Sequence, residues 1–315
     1  LETLEMNVLV TGGTGFIGAN LVRFLQAREH NVTAIIRNSP EEETWRIANL
    51  NKLNIIYYED FLPDLQRAIE LRSIDACIHL ASYGVNYNDR DIVEIVRGNI
   101  DLSLNVIKLC DKAEIGRIIM FGSAMEYGNS TNSISEDFAV DPASIYGAAK
   151  ASSVIMARTF ASSLGIDLTV IRPFGIYGPY EGFHKVIPQM IRACLVNESL
   201  ELTQGDQVRD YLYVEDLCNA VDLILRKDAV EFRSVFNVCS GTGVTIRDIG
   251  KEILHLTGKS DNILRFGEKE YRQDENMYIV GSSDKIKALL GWYPKIKLRE
   301  GLRRSVEWYK EYLGA

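Results

Sequence analysis

Asn7–Gly18 reads NVLVTGGTGFIG: a short apolar run, Asn7–Thr11, breaks into glycines, and helical spacing then takes over across Gly18–Arg28. Glycine is needed where the turn is tight, where backbone meets a pyrophosphate, and where a helix packs close on a strand. The helix start adds free N–H groups and the positive end of a dipole, so the segment is a phosphate cradle. A glycine pattern alone is weak evidence; set between a strand and a helix it points to a dinucleotide site. Gly12, Thr14, Gly15, Phe16 and Ile17 are the expected contacts.

The rest of the first half repeats the theme. Val32–Arg37, Ile55–Tyr58, Ala76–Leu80, Arg117–Phe121 and Leu168–Arg172 are almost wholly apolar runs separated by helical patterns. Strands this apolar imply a parallel sheet covered on both faces, hence an α/β, Rossmann-type doubly wound sheet. After Arg172, Gly175, Gly178, Pro179, Gly182 and Pro188 punctuate a looped stretch. The expected organisation is a dinucleotide-binding domain over 6–174, with 215–258 returning to it, and a smaller α/β substrate lobe from 175–214 and 259–315.

The 315 residues are 46% hydrophobic and 25% charged, with mean hydropathy −0.05, ordinary for a globular chain. No apolar run approaches the length of a membrane span. A net charge of −8 argues against a general nucleic-acid binder. Five scattered cysteines without a CxxC pair read as buried thiols in a reducing compartment, not as metal ligands or disulfides. Leu1–Glu5 precede Met6 and read as foreign to the natural chain, and no secretory pattern follows them. The expectation is a cytoplasmic protein with no metal site.

Ser123 follows one strand, and Tyr146 and Lys150 lie four apart on a helix, hence on one face. An ammonium beside a phenol favours the phenolate and lowers its pKa from about 10. Such a pair can exchange a proton with a carbonyl or alcohol while a nicotinamide carries the hydride. Ser123 can polarise the carbonyl. The second strand ends Arg37-Asn38-Ser39 with no carboxylate before Glu41, so an adenosine 2′-phosphate is favoured there and NADP(H) is expected, with NAD(H) as the other option.

From Met6 almost to the C-terminus the chain resembles the extended short-chain dehydrogenase/reductases that act on nucleotide sugars. The resemblance rests on the glycine turn, Asp60-Phe61, His79-Leu80-Ala81, Asn99, Ser123, Tyr146-Gly147-Ala148-Ala149-Lys150, Arg172-Pro173-Phe174, Tyr177-Gly178-Pro179, Arg209-Asp210-Tyr211, Arg272 with Glu275, and Gly291-Trp292-Tyr293-Pro294. It implies cofactor contacts from Asp60, Phe61, Leu80, Ala81, Ser82, Asn99, Tyr146, Lys150 and Pro173. It also implies substrate contacts from Tyr83, Met125, Glu126, Lys185, Val186, Arg209 and Arg272, the two arginines on a diphosphate.

Dehydratases of this family place acidic residues directly after the serine or threonine; here Ala124 and Met125 stand there. Gly175 stands where epimerases usually offer an asparagine. The loop and tail are most similar to CDP-abequose/CDP-paratose synthase and GDP-4-keto-6-deoxymannose reductase types. The resemblance therefore implies NADPH-dependent reduction at C4 of an NDP-4-keto-6-deoxyhexose. An NAD-dependent 4-epimerase is the alternative; a dehydratase or a non-catalytic NADP-binding protein is a weaker one.

Asp91–Cys110 and Ser144–Ser163 are apolar over more than one stripe. One stripe covers the sheet, and the other asks for a second partner. A homodimer through these helices is expected, with Ala148, Ala151 and Ala157 at the contact.

Overall fold

The computed structural model describes residues 5–37, 44–58, 73–85, 89, 91–226, 234–272 and 275–314. Seven parallel strands form the central sheet: β1 (Asn7–Thr11), β2 (Asn31–Arg37), β3 (Asn54–Tyr58), β4 (Ala76–His79), β5 (Arg117–Phe121), β6 (Asp167–Pro173) and β10 (Val235–Val238). Their order is β10-β6-β5-β4-β1-β2-β3.

Alternation along β1 explains why both faces are apolar. Val8 and Val10 join a core with Leu21, Val22 and Leu25 of α1 (Phe16–Ala27) and with Leu217 and Val221 of α6 (Val214–Arg226). Leu9 points the other way, into a core with Val106 and Ile107 of α3 (Leu102–Lys112) and Val154 and Ala157 of α4 (Ile145–Ser163). A doubly wound sheet opens a crevice where strand order reverses, here at the carboxyl ends of β1 and β4.

A second layer caps that crevice. Strand β9 (Val208–Tyr213) pairs with β7 (Gly175–Tyr177), β11 (Gly243–Thr245) and β13 (Tyr278–Ile279). Strands β8 (Leu200–Leu202) and β12 (Leu264–Phe266) pair beside it. Helices α5 (Val186–Val196), α7 (Ile246–Thr257) and α9 (Leu298–Leu313) share one core, built on Met190, Ile191, Ile249, Ile253, Leu302 and Tyr309.

Two boundaries differ from the sequence reading. Residues 243–257, expected with the main sheet, pack on α5 instead, because the buried face of α7 fits Met190 and Ile191 rather than a sheet that ends at β10. Conversely α8 (Asp284–Leu290) and Trp292, expected in the smaller lobe, belong to the main core: Ile286 and Trp292 lie in it, and Trp292 Nε1 donates to Asp216 O at 3.1 Å.

The helix expected over 91–110 is three pieces: α2 (Ile92–Val96), a π-helical turn Arg97–Asp101, and α3. Ile92, Val93 and Val96 on α2 and Ile155 and Met156 on α4 are exposed. The small residues are placed differently from expectation. Ala151 and Ala157 are buried against their own chain, and only Ala148 faces out. All five cysteines are buried thiols. Among the described residues no helix is long and apolar enough to cross a membrane.

Candidate active site

The crevice is a cleft of about 1580 Å³. Its floor is the glycine turn. Gly12 has φ 73°, and a Cβ there would stand 2.7 Å from Ala81 N; a Cβ on Gly18 would stand 2.1 Å from Gly12 O. The sequence is therefore held to glycine by close backbone approach as well as by dihedral angle. Gly15 caps α1 without any side-chain bond, so the helix start stays open towards the cleft. These features fit a dinucleotide pyrophosphate.

A buried polar chain braces the floor. Ala81 N–H donates to Thr11 Oγ1 (3.3 Å), Thr11 Oγ1 and His79 Nδ1 are 2.7 Å apart, and His79 Nε2 lies 2.9 Å from Ser103 Oγ. Ser103 and Ser153 both donate to Asn99 O, at 2.6 and 2.9 Å. Burial, with Lys150 nearby, pulls the His79 pKa down to about 3, so the ring is neutral.

Most residues singled out in the sequence converge on this one cleft. Gly12, Thr14, Gly15, Phe16, Ile17 and Arg37 line it from β1, α1 and β2, and Leu80, Ala81, Ser82 and Tyr83 from the loop after β4. Ser123 and Met125 follow β5, Tyr146 and Lys150 come from α4, Pro173 ends β6, and Lys185, Val186, Arg209 and Arg272 come from the second layer. Asn38, Asp60 and Phe61 lie outside the described residues.

Two expected contacts are not on the wall. Asn99, expected at the cofactor, is buried in the π turn, where its Nδ2 donates to Tyr83 O (2.7 Å) and Ile95 O (2.8 Å). It holds the Tyr83 loop from behind. Glu126, expected at the substrate, is fully buried: the turn Ala124–Glu126 rotates it inward, where it accepts from Ser123 N–H (2.7 Å) and from Arg172 Nε (2.8 Å).

Burial pushes the Tyr146 pKa up to about 12, opposite in direction to the lowering expected from a neighbouring ammonium, and the Ser82 and Ser123 side chains pull it only partly back. Lys150 Nζ donates to Phe121 O at 2.5 Å; burial lowers its pKa to about 8, against the opposing pull of Glu126. A hydroxyl, a phenol and an amine thus meet beside the open end of β5, an arrangement able to exchange a proton with a carbonyl or alcohol. Deeper in the second layer, Arg209 Nη2 donates to Glu275 Oε1 at 2.6 Å.

Arg46 and Glu181 are among the lining residues that the sequence reading missed. Arg46 donates through Nε to Tyr180 O (2.9 Å) and through Nη1 to Thr14 O (3.4 Å), joining the glycine turn to the loop before α5. It sits in a stretch without periodic pattern, which carried no signal. Glu181 lines the cleft with an Oε2 sealed from solvent and without a hydrogen-bond partner. Burial pushes its carboxyl up to about 8, opposed by Lys185. A carboxylate four residues before Lys185 was the available signal.

Residues 8–239 match the model of the NAD dependent epimerase/dehydratase family. UDP-glucuronate 4-epimerase of Thermodesulfobacterium geofontis is 28% identical, covering 96% of this chain and 96% of that protein. The solved structure of MoeE5 in complex with UDP-glucuronic acid and NAD has a TM-score of 0.87 at 27% identity, covering 97% of this chain and 99% of the other. That of DesIV, the dTDP-glucose 4,6-dehydratase of Streptomyces venezuelae, with NAD bound, has a TM-score of 0.85 at 26% identity, covering 98% of each chain.

Proposed function

The chain belongs to the NAD dependent epimerase/dehydratase family, and on that premise we propose that it is an NADPH-dependent C4 ketoreductase of an NDP-4-keto-6-deoxyhexose. The carrying observation is the pair of residues after Ser123. Ala124 is buried, and Met125 offers the cleft a thioether. Neither can strip a proton from C5 or deliver one to C6. Glu126, next along, is turned away and held by Arg172. What the site retains is the machinery for one carbonyl/alcohol exchange.

When bound, NADPH would supply a hydride for C4. Tyr146, a phenol whose pKa is held near 12, gives its proton to the carbonyl oxygen. Ser123 donates a hydrogen bond to the same oxygen and keeps it in line with the phenol. Lys150, bonded to Phe121 O, places a positive charge beside Tyr146 as the proton leaves. Arg37, exposed at the end of β2 and lining the cleft, would pair with the adenosine 2′-phosphate. The main sheet holds the cofactor, and the second layer holds the sugar nucleotide, with Arg209 and Arg272 at its diphosphate.

Two copies pair through α2 and α4, where the exposed Ile92, Val93, Ile155 and Met156 find cover. A 4-epimerase using retained NAD is the second reading, favoured by the epimerase among the relatives and by NAD in the solved neighbours. Offering the protein 4-keto-6-deoxy CDP, GDP, dTDP and UDP sugars with NADPH or NADH separates the two. Reduction consumes NADPH with one of the four; an epimerase leaves both cofactors untouched and instead inverts C4 of a 4-hydroxy sugar nucleotide offered beside them.

A further inference from the structure

Glu126 and Lys150 hold opposite ends of one tripeptide. Lys150 Nζ donates to Phe121 O at 2.5 Å, and Ser123 N–H donates to Glu126 Oε1 at 2.7 Å. Between them Gly122 has no room for a side chain, since a Cβ would stand 2.3 Å from Glu126 Oε1. The second carboxylate oxygen is gripped twice by Arg172, from Nε at 2.8 Å and Nη2 at 2.7 Å. Arg172 Nη1 donates to Tyr127 Oη at 2.8 Å, and Tyr127 Oη donates to Asn237 Oδ1 at 2.7 Å. This chain of bonds ties the carboxylate to β6 and β10, and Glu126 itself has no exposed surface.

We propose that Glu126 is a positioning residue: anchored by Arg172, it fixes Ser123 at the cleft wall and supplies the buried counter-charge that keeps Lys150 an ammonium. Both oxygens of the Glu126 carboxylate meet donors, Ser123 N–H on one and Arg172 on the other, whereas the buried Lys150 ammonium meets one carbonyl, Phe121 O. Burial pulls Lys150 down, and Glu126 pulls it back up. The groups facing Glu126 are Arg172 from β6, Tyr127 from its own turn, and Tyr146 and Lys150 from α4. Glu136 stands beyond Tyr127, and His79 of β4 faces Lys150 as a neutral ring. The tasks given to Ser123 and Lys150 rest on the ketoreductase reading; the charge balance does not.

Lysine-selective NMR on the protein without cofactor or sugar nucleotide tests it, with Lys150 assigned through Lys150→Met. In Glu126→Gln the Lys150 titration midpoint is expected to fall by roughly one pH unit. Because Arg172 is then left without its anion, Glu126→Gln with Arg172→Gln serves as the second variant, and a smaller fall is expected there, since a like charge leaves with the carboxylate. Glu126→Asp keeps the charge and is expected to restore most of the midpoint while leaving Ser123 N–H out of reach, so that kcat stays low. A folded variant that loses thermal stability while Lys150 titrates as in the wild type would overturn the proposal. No substrate enters this titration, so it can succeed even where the ketosugar screen fails.

Discussion

Arg37 carries the choice between the two nicotinamide cofactors. It ends β2 exposed at the cleft, where a 2′-phosphate would meet it. A charge-assisted bond of this kind contributes roughly 1.5–3 kcal/mol, about one to two decades in affinity. Arg37→Ala should therefore weaken NADPH binding by that factor and leave NADH almost unchanged. Equal loss for both cofactors, measured by fluorescence titration, would reduce Arg37 to a surface residue. Glu181 offers a test by pH. Its folded carboxyl titrates near 8 because of burial, well above an exposed glutamate. The folded state thus holds a proton that the unfolded chain has already released. Stability from this group is complete below the unfolded pKa and is lost as pH rises through about 8. Glu181→Gln carries no such penalty, so its Tm relative to the wild type should rise by on the order of a few degrees between pH 5 and pH 9. A difference that stays flat across that range would mean the carboxyl is solvated after all.

At the scale of elements, the strands were legible because a sheet buried on both faces leaves a continuous apolar run. The glycine turn was legible because backbone approach permits no other residue at Gly12 and Gly18. Helix allegiance was not. The stripe of α7 says that one face is buried, but nothing in its spacing says against which core. The break at Arg97–Asp101 left the apolar pattern intact and so left no trace. Phase was misjudged on α4: Ala151 is 5% exposed, whereas Ile155 is 60% exposed. The dimer test moves accordingly. Ile155→Glu should convert a wild-type dimer into a folded monomer by light scattering, whereas Ala151→Glu should unfold the chain by burying an unpaired charge. A wild-type monomer at micromolar concentration would remove the proposed interface.

Across the whole molecule, the main sheet and the second layer meet at one cleft, and chemistry is divided between them. The residues read from the sequence gathered there because their motifs sit at strand ends, and a doubly wound sheet brings those ends to one edge. Glu126 was misplaced for a related reason. Its distance from Ser123 in sequence is short, but a tight turn sends it behind the wall rather than onto it. The central claim is net reduction at C4, and deuterium tests it most directly. The protein would be given NADPH labelled at the transferable hydrogen together with the 4-keto-6-deoxy sugar nucleotide it accepts, beside a Tyr146→Phe control. The prediction is one deuterium at C4 of the product for each NADPH consumed, with the control slowed about 10²–10⁴-fold. A ketosugar left unreduced with NADPH untouched, while a 4-hydroxy sugar nucleotide offered in parallel is inverted at C4 without taking up deuterium, would contradict it.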